Sequence, residues 1–419
     1  MRRILVLLLL VAGLAACQDD AWVRRGYSAG WPAARGDSHN SGRTDQEPPR
    51  KLAVLWTRPL LGQVYAQPSV SSRGFVGVAA RTESGCNTFS FDIEAGRKRW
   101  CLRRFFGVEL STPLVDQFDT VYLGQAGLIA AFAQNDSVKW SDPVLGTPIG
   151  SALTSDGNLL VVTHLGQIEV VNSINGQIVS PPVELVPVAD RADAAHGLAD
   201  CASRGPQCPV ASQPAYDPGS GRFVFSFWPP GAPAAQLVGM RYNAADKTLR
   251  VDWRAPAAHP GPLGMPAITA DGSAAIAIDA AGVLSAHRLS DGTQLWRTPT
   301  GAAGTSVLAA APNGTVVIGA GSAAAPLAAY TGTGQLWRRD DLRCLSPATL
   351  TAEHDGLVLV VSADGKGSAL VRFDAETGAT RETTELPGLP PAPSAGISVA
   401  PGGQLVFAQG GQLVALGER

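Results

Sequence analysis

Six of the nine tryptophans close strand-like runs at one phase of a repeat: Trp56, Trp100, Trp140, Trp253, Trp296 and Trp337. Near neighbours stand 44, 40, 43 and 41 residues apart, and "DGTQLWR" at 291–297 returns as "GTGQLWR" at 332–338. A fixed period of this length restricts the fold more than any composition does. Each copy is one supersecondary unit that buries its apolar face only against its neighbours. Short β-branched runs such as "LLVV" (159–162), "TVVIG" (315–319) and "LVLVV" (357–361) alternate with turns such as "SDGN" (155–158), "ADGS" (270–273) and "PNGT" (312–315). Asp-Gly and Asn-Gly supply the positive φ that tight hairpins need. With 47 glycines, 31 prolines and 16% charged residues, the chain reads as all-β.

Each unit opens on a small or polar residue near a proline, as in "AQPSV" at 66, "STPLV" at 111 and "GMPAI" at 264. Four strands then fit into about 42 residues, the size of one propeller blade. The second turn is the most specific part: "SFDIEAGRKRW" with Asp92, Gly96 and Trp100, "AHRLSDGTQLW" with Ala286, Gly292 and Trp296, and "FDAETGATRE" with Asp374, Thr377 and Gly378. These resemble the tryptophan-docking motif of the PQQ-type propeller repeat, A-x-D-x-x-T-G-K-x-x-W. Single copies depart from it: Arg288 replaces the Asp, Asp136 the Gly and Glu382 the Trp. Units end near 100, 140, 180, 253, 296, 337 and 382. Residues 394–416 supply three strands of an eighth, and "KLAVLWTRPL" (51–60) supplies its fourth. The expectation is an eight-bladed β-propeller of four-stranded antiparallel blades over 50–419, closed by its N-terminal strand, with seven blades as the alternative. An insertion near 181–212 breaks the repeat and exceeds ordinary loop length.

The chain begins "MRRILVLLLLVAGLAAC". Two arginines precede a nine-residue apolar run, which is signal-peptide length and too short to span a bilayer. Leu14-Ala15-Ala16-Cys17 resembles a bacterial lipobox, so residues 1–16 are expected to be a lipoprotein signal peptide and Cys17 the lipid attachment point. Gln18 after the cysteine implies, by resemblance to Gram-negative sorting rules, an outer-membrane lipoprotein facing the periplasm. Residues 17–49 follow as tether and lead-in, with 18–30 as the tether proper. "WPAARGDSHNSGRT" (31–44) resembles the W-x-x-x-R-G-[DN] segment that precedes many PQQ-type propellers. Without residues 1–16 the net charge is about −4, which argues against a nucleic-acid partner.

Of the five remaining cysteines, Cys201 and Cys208 lie in one Pro/Gly-rich loop and are the expected disulfide. Cys86 and Cys101 flank a hairpin and are a second candidate pair, which leaves Cys344 over.

PQQ-dependent dehydrogenases share this repeat, and the resemblance implies what they need: a vicinal Cys-Cys disulfide, a Trp beneath the quinone, acid and amide ligands for calcium, and an Asp base. The chain has no adjacent cysteines, and its tryptophans are assigned as blade closers apart from Trp22, Trp31 and Trp228. "DSHNSG" (37–42) has Pro48 where an EF-hand needs its bidentate Glu. The six histidines are isolated, and "SDGTQLW" (290–296) lacks the spacing of the sialidase Asp-box. No catalytic, cofactor or metal residues are therefore assigned, and neither PQQ nor calcium is expected. The pattern resembles the BamB-type propeller lipoproteins of outer-membrane assembly. That resemblance implies a lipid-anchored scaffold for other envelope proteins. The alternative is a divergent PQQ-dependent oxidoreductase or a carbohydrate-acting propeller.

Overall fold

Within each period the middle strands are apolar on both faces and the last strand alternates. Leu159–Thr163 is buried throughout, whereas Gln294–Pro299 is exposed at every second residue. A strand buried on both faces needs cover from two sides, and a four-stranded unit finds it only by standing between two copies of itself. The computed structural model describes residues 24–418 except 105, 188–192, 302–306 and 320–324. Cys17, the expected signal peptide 1–16 and Trp22 lie outside the described residues.

Eight such units stand in a ring, not seven. Blade 1 is Ser69–Val70, Phe75–Ala79, Thr88–Asp92 and Lys98–Leu102. Blade 2 is Leu114–Val115, Val121–Gln125, Leu128–Phe132 and Val138–Pro143. Blade 3 is Pro148–Leu153, Leu159–Thr163, Gln167–Val171 and Ile178–Glu184. Blade 4 is Ala215–Asp217, Arg222–Phe227, Gln236–Asn243 and Thr248–Pro256. Blade 5 is Ala267–Ile268, Ala274–Ile278, Val283–Arg288 and Gln294–Pro299. Blade 6 is Val307–Ala310, Val316–Gly319, Ala325–Thr331 and Gly334–Cys344. Blade 7 is Thr349–Leu350, Asp355–Val361, Ser368–Asp374 and Thr380–Leu386. Blade 8 takes Ile397–Val399, Leu405–Gln409 and Gln412–Gly417 from the C-terminal end and Ala53–Pro59 from the N-terminal end. Ala53 pairs with Gly417 and Pro59 with Gln412, so the seam is an antiparallel ladder. Closure removes the open edges that an unclosed sheet stack would present.

The core is a series of wedges between blades. One cluster joins blades 7, 8 and 1 through Leu359, Phe407 and Phe91, and others join blades 3 and 4 or 5 and 6. Each fully buried Leu, Ile or Phe contributes roughly 1.5–3 kcal/mol.

Every outer strand carries a β-bulge at the closing position. The residue before it is skipped in the ladder, and the residue opposite is Ala415, Ser90, Ala131, Val170, Gly239, Ala286, Ala329 or Arg372. Opposite a tryptophan it is always Ala, Ser or Gly. The small residue leaves room for the indole to lie back over its own blade: a Cβ on Gly239 would stand 2.1 Å from Trp253 Cε2. The ring edge then reaches the next blade. The indole N–H of Trp56 donates to the Ile93 carbonyl (2.8 Å), Trp100 to Gln134 (2.9 Å), Trp140 to Ser173 (2.9 Å), Trp253 to Leu289 (2.9 Å) and Trp337 to Ala375 (3.0 Å). Trp296 packs on Gly332 in the same way.

The turn glycines complete the joint. Gly96, Gly176, Gly292 and Gly378 all have positive φ, and each lies flat against the indole of the preceding blade. Asp136 holds the equivalent left-handed position under Trp100, with φ +68, and pairs with Arg104. Blades 3 and 7 have Ser180 and Glu382 at the closing position. In blade 7 Arg372 stands opposite. Its guanidinium donates to the Glu47 carboxylate (2.7 Å) and to the Pro48 and Pro49 carbonyls (3.0 and 2.6 Å).

Candidate functional site

The two faces of the ring differ. On the lower face lie the turns between first and second strands and between third and fourth. An N-terminal arm, residues 24–49, covers the axis there. Ser28 donates its N–H to Val115, and Trp31 and Val70 exchange backbone bonds (2.9 and 2.7 Å). Ser38 and His39 accept from Tyr216 and Ile268, Ser41 from Ala310 and Gly42 from Leu350. Tyr27 Oη accepts from Leu153, and Gly30 lies on Pro401. The arm therefore touches all eight blades. Residues 24–30, expected within a tether, are docked on the ring: Arg25 pairs with Asp116 at 3.2 Å, and Tyr27 bridges to the same residue. The polar groups of this stretch match backbone groups left free at the inner strand ends, and docking satisfies both.

The arm's motif has a mechanical reading. Trp31 is fully buried, and Gly36 (φ +89) lies against its ring. Asp37 accepts the Ser41 N–H (2.9 Å) and the Ser41 hydroxyl, which tightens the turn; burial raises its carboxyl above the usual range. Its oxygens are committed to this turn. Arg35 is thereby aimed up the axis.

On the upper face an axial cavity of ≈ 350 Å³ opens, with Ala34 and Arg35 at its floor. Its walls are the residues that start the inner strands, Gln67, Thr112, Ile149, Gln213, Val307 and Ser394 among them. The Arg35 guanidinium is 2% exposed. It donates to Gln67 Oε1 (3.3 Å) and to the Leu308 and Ala348 carbonyls (3.1 and 2.7 Å). Burial pushes its pKa down to about 10, with Asp37 opposing the change. Gly42 has φ +67, and a Cβ there would meet Arg35 Nη2, so a side chain would be strained and would push the guanidinium aside.

The insertion folds over this opening. Residues 193–212 form a turn, a 3₁₀ helix Leu198–Ser203 and a Cys201–Cys208 disulfide with Cα atoms 5.1 Å apart. Leu198, Cys201 and Cys208 pack on Ile149 of blade 3. His164 is fully buried; its Nδ1 accepts the Thr147 N–H (2.9 Å) and its Nε2 donates to the His196 carbonyl (2.8 Å). These two bonds fix the tautomer, and burial lowers its pKa. The His164 carbonyl also accepts from Val210, so one residue holds both arms of the insertion. Residues Cys201–Arg204 and Ala211–Gln213 thus line the cavity mouth.

Beside it a second concavity is lined by Arg81, Arg103, Arg104, Asn87, Glu109 and Phe106. Cys86–Cys101 is a disulfide under this rim, with Cα atoms 5.5 Å apart. Leu61 and Phe106 are 84% and 50% exposed here. Cys344 is buried between blades 6 and 7, outside both disulfides. Trp228 packs a loop, donating to the Ala232 carbonyl (2.8 Å), and does not reach the cavity. Elsewhere His39 pairs with Asp217 and His259 with Asp279.

Quinone chemistry of the dehydrogenase type needs acidic calcium ligands and a carboxylate base. The described residues lining the axial cavity include no Asp or Glu, so they do not fit a calcium–quinone pair. The sequence signal that could have found the cavity residues is weak: Arg35 is one position of the arm motif, and its partners come from three distant blades.

A family model described as outer membrane protein assembly factor BamB matches residues 243–419. Among solved structures, BamB from Moraxella catarrhalis superposes with a TM-score of 0.59 at 13% identity, covering 88% of this chain and 100% of that one. Quinohemoprotein alcohol dehydrogenase from Comamonas testosteroni gives 0.64 at 12% identity, covering 93% and 81%. These two share the fold. Protein Rv3035 of Mycobacterium tuberculosis is 37% identical over 388 residues, 91% of this chain and 93% of that protein. With eight docked blades the fold is that of a PQQ-like β-propeller, and with a relative matched over nearly its full length the chain belongs to the family of Rv3035.

Proposed function

We propose that this chain is an exported, lipid-anchored envelope propeller that acts as a protein-interaction scaffold and presents its upper face to other envelope proteins. The observation that carries this reading is the asymmetry of the ring. The axis of the lower face is covered by the chain's own arm, whereas the upper face carries the long loops, both disulfides, two arginine-lined concavities and the exposed Leu61 and Phe106. Large apolar side chains held out by braced loops, ringed by arginine, have the composition of an interaction surface. Two disulfides fit an oxidising compartment, and the N-terminal segment ending in Cys17 supplies the route and the anchor. Service in outer-membrane protein assembly is the more specific form of the proposal; the matched family model supports it.

The test is in-cell crosslinking with mass spectrometry on the full chain and on a Leu61→Asp/Phe106→Asp variant. The expected result is one or more envelope proteins recovered with the parent chain and lost with the variant. Recovery of no envelope protein above background, or equal recovery with both chains, would overturn the reading. A carbohydrate-acting or quinoprotein enzyme gains no support from the cavity residues.

A further inference from the structure

We propose that the axial cavity is a binding site for a small organic anion, a carboxylate or phosphate ester with an apolar body. Arg35 would hold the charged end from the floor and Arg204 from the insertion above. This stands on its own observations and does not rest on the scaffold reading.

The first observation is charge. The described lining holds two guanidiniums and no carboxylate. Arg35 is fully buried, yet every acceptor it meets within hydrogen-bond distance is neutral: one side-chain amide and two backbone carbonyls. Asp37 is near enough to be felt, but its oxygens are engaged by Ser41. A buried cation without a paired anion is strongly unfavourable unless something supplies the countercharge.

The second is unspent donor capacity. Arg35 Nε, Arg204 Nη1 and Ser212 Oγ are all buried, and among the described residues each lacks a hydrogen-bond partner. All three residues line this one cavity. Such atoms occur elsewhere in the ring as well, Arg222 Nε and Arg241 Nε among them, but three on residues that line one cavity leave donors there for a ligand's acceptors. A guanidinium fork matches the two oxygens of a carboxylate or phosphate.

The third is shape. Between floor and mouth the wall is mixed: Val64, Leu110, Ile149, Met265 and Val307 alternate with the polar Gln67, Thr112, Gln213 and Ser394. A volume of ≈ 350 Å³ lies at the small end of ligand sites. A cavity this deep, with apolar side chains among its wall residues, suits an anion with an organic body better than inorganic phosphate. The site is also built in advance: Gly42 clears space for Arg35, and the Cys201–Cys208 bridge with His164 fixes the loop that carries Arg204.

The experiment is calorimetric titration of the purified full chain with octanoate and, separately, hexyl phosphate. Octanamide and hexanol serve as uncharged controls. The expected result is saturable one-to-one binding of at least one anion, at least tenfold tighter than its uncharged control. Which anion binds better assigns the head group. Arg204→Gln should weaken that binding at least tenfold and leave the ligand-free melting temperature unchanged. Arg35→Lys, which keeps the charge and loses the fork, should weaken it as well. Binding of neither anion, equal binding of octanamide or hexanol, or undiminished binding by Arg204→Gln would overturn the proposal.

Discussion

Substituting Gly292 by alanine tests the blade joint in isolation. Gly292 has φ +74, a conformation that costs an L-residue about 1–2 kcal/mol. Its new Cβ would also stand 2.6 Å from Trp253 Cε3. The indole must therefore move, and its 2.9 Å bond to the Leu289 carbonyl is lost, leaving a buried acceptor at a cost of about 1–3 kcal/mol. The expected total is about 2–5 kcal/mol. Gly388→Ala is the matched control: its φ is +79, and a Cβ there meets nothing within 4 Å. It should cost only the conformational part, about 1–2 kcal/mol. Urea unfolding followed by tryptophan fluorescence reads both. A cycle sharpens the test. On a Trp253→Phe background the indole N–H is already gone and the ring is smaller, so Gly292→Ala should fall toward the control value. An equal cost for Gly292→Ala and Gly388→Ala, or an unchanged cost for Gly292→Ala on the Trp253→Phe background, would refute the docking argument.

Glu169 is buried in blade 3, and burial, with the Asp142 carboxylate adding to it, pushes its pKa up to about 7 from an ordinary 4.5. The folded state therefore holds a proton that the unfolded state has released, so stability should fall as pH rises from about 4.5 to about 7, by roughly 3 kcal/mol in total. Glu169→Gln should flatten that slope in a series of melting temperatures against pH; an unaltered slope would reject the assignment. Cys17→Ala should move the chain from the membrane pellet to the soluble fraction, whereas continued sedimentation with membranes would contradict lipid anchoring at that residue. Replacing Cys201 and Cys208 by serine should speed amide exchange across 193–212 while the blade strands keep their protection; uniform loss of protection would show that the bridge stabilises the whole ring.

The ring was legible because its signals repeat. Asp-Gly and Asn-Gly turns, β-branched runs and a tryptophan every 42 residues or so give period, strand number and seam together, down to the strand that Trp56 brings to blade 8. The small residue across from each tryptophan and the bulge beside it were not legible. Alanine and serine are common, and a bulge leaves no compositional mark. The arm's docking was legible only in part: Trp31 and Arg35 belong to a motif, but nothing in "RRGYSAG" (24–30) signals that Tyr27 and Ser28 bind inner strand ends. The axial cavity was the least legible feature. It gathers Arg35, Gln67, Arg204 and Ser212 from positions up to 177 residues apart, one or two per element, with no local spacing to betray them. Convergence on a ring axis comes from closure, and closure is a property of the whole chain.

The central claim is that the upper face is the working face. It is tested most directly by placing a photo-crosslinking residue at four exposed positions in living cells. Two are on the upper face, at Leu61 and Phe106, and two are on the lower face, at Phe118 and Val138. The account predicts discrete adducts with an envelope protein from Leu61 and Phe106 and none from Phe118 or Val138. Adducts confined to Phe118 and Val138, or the same adducts from all four positions, would contradict it.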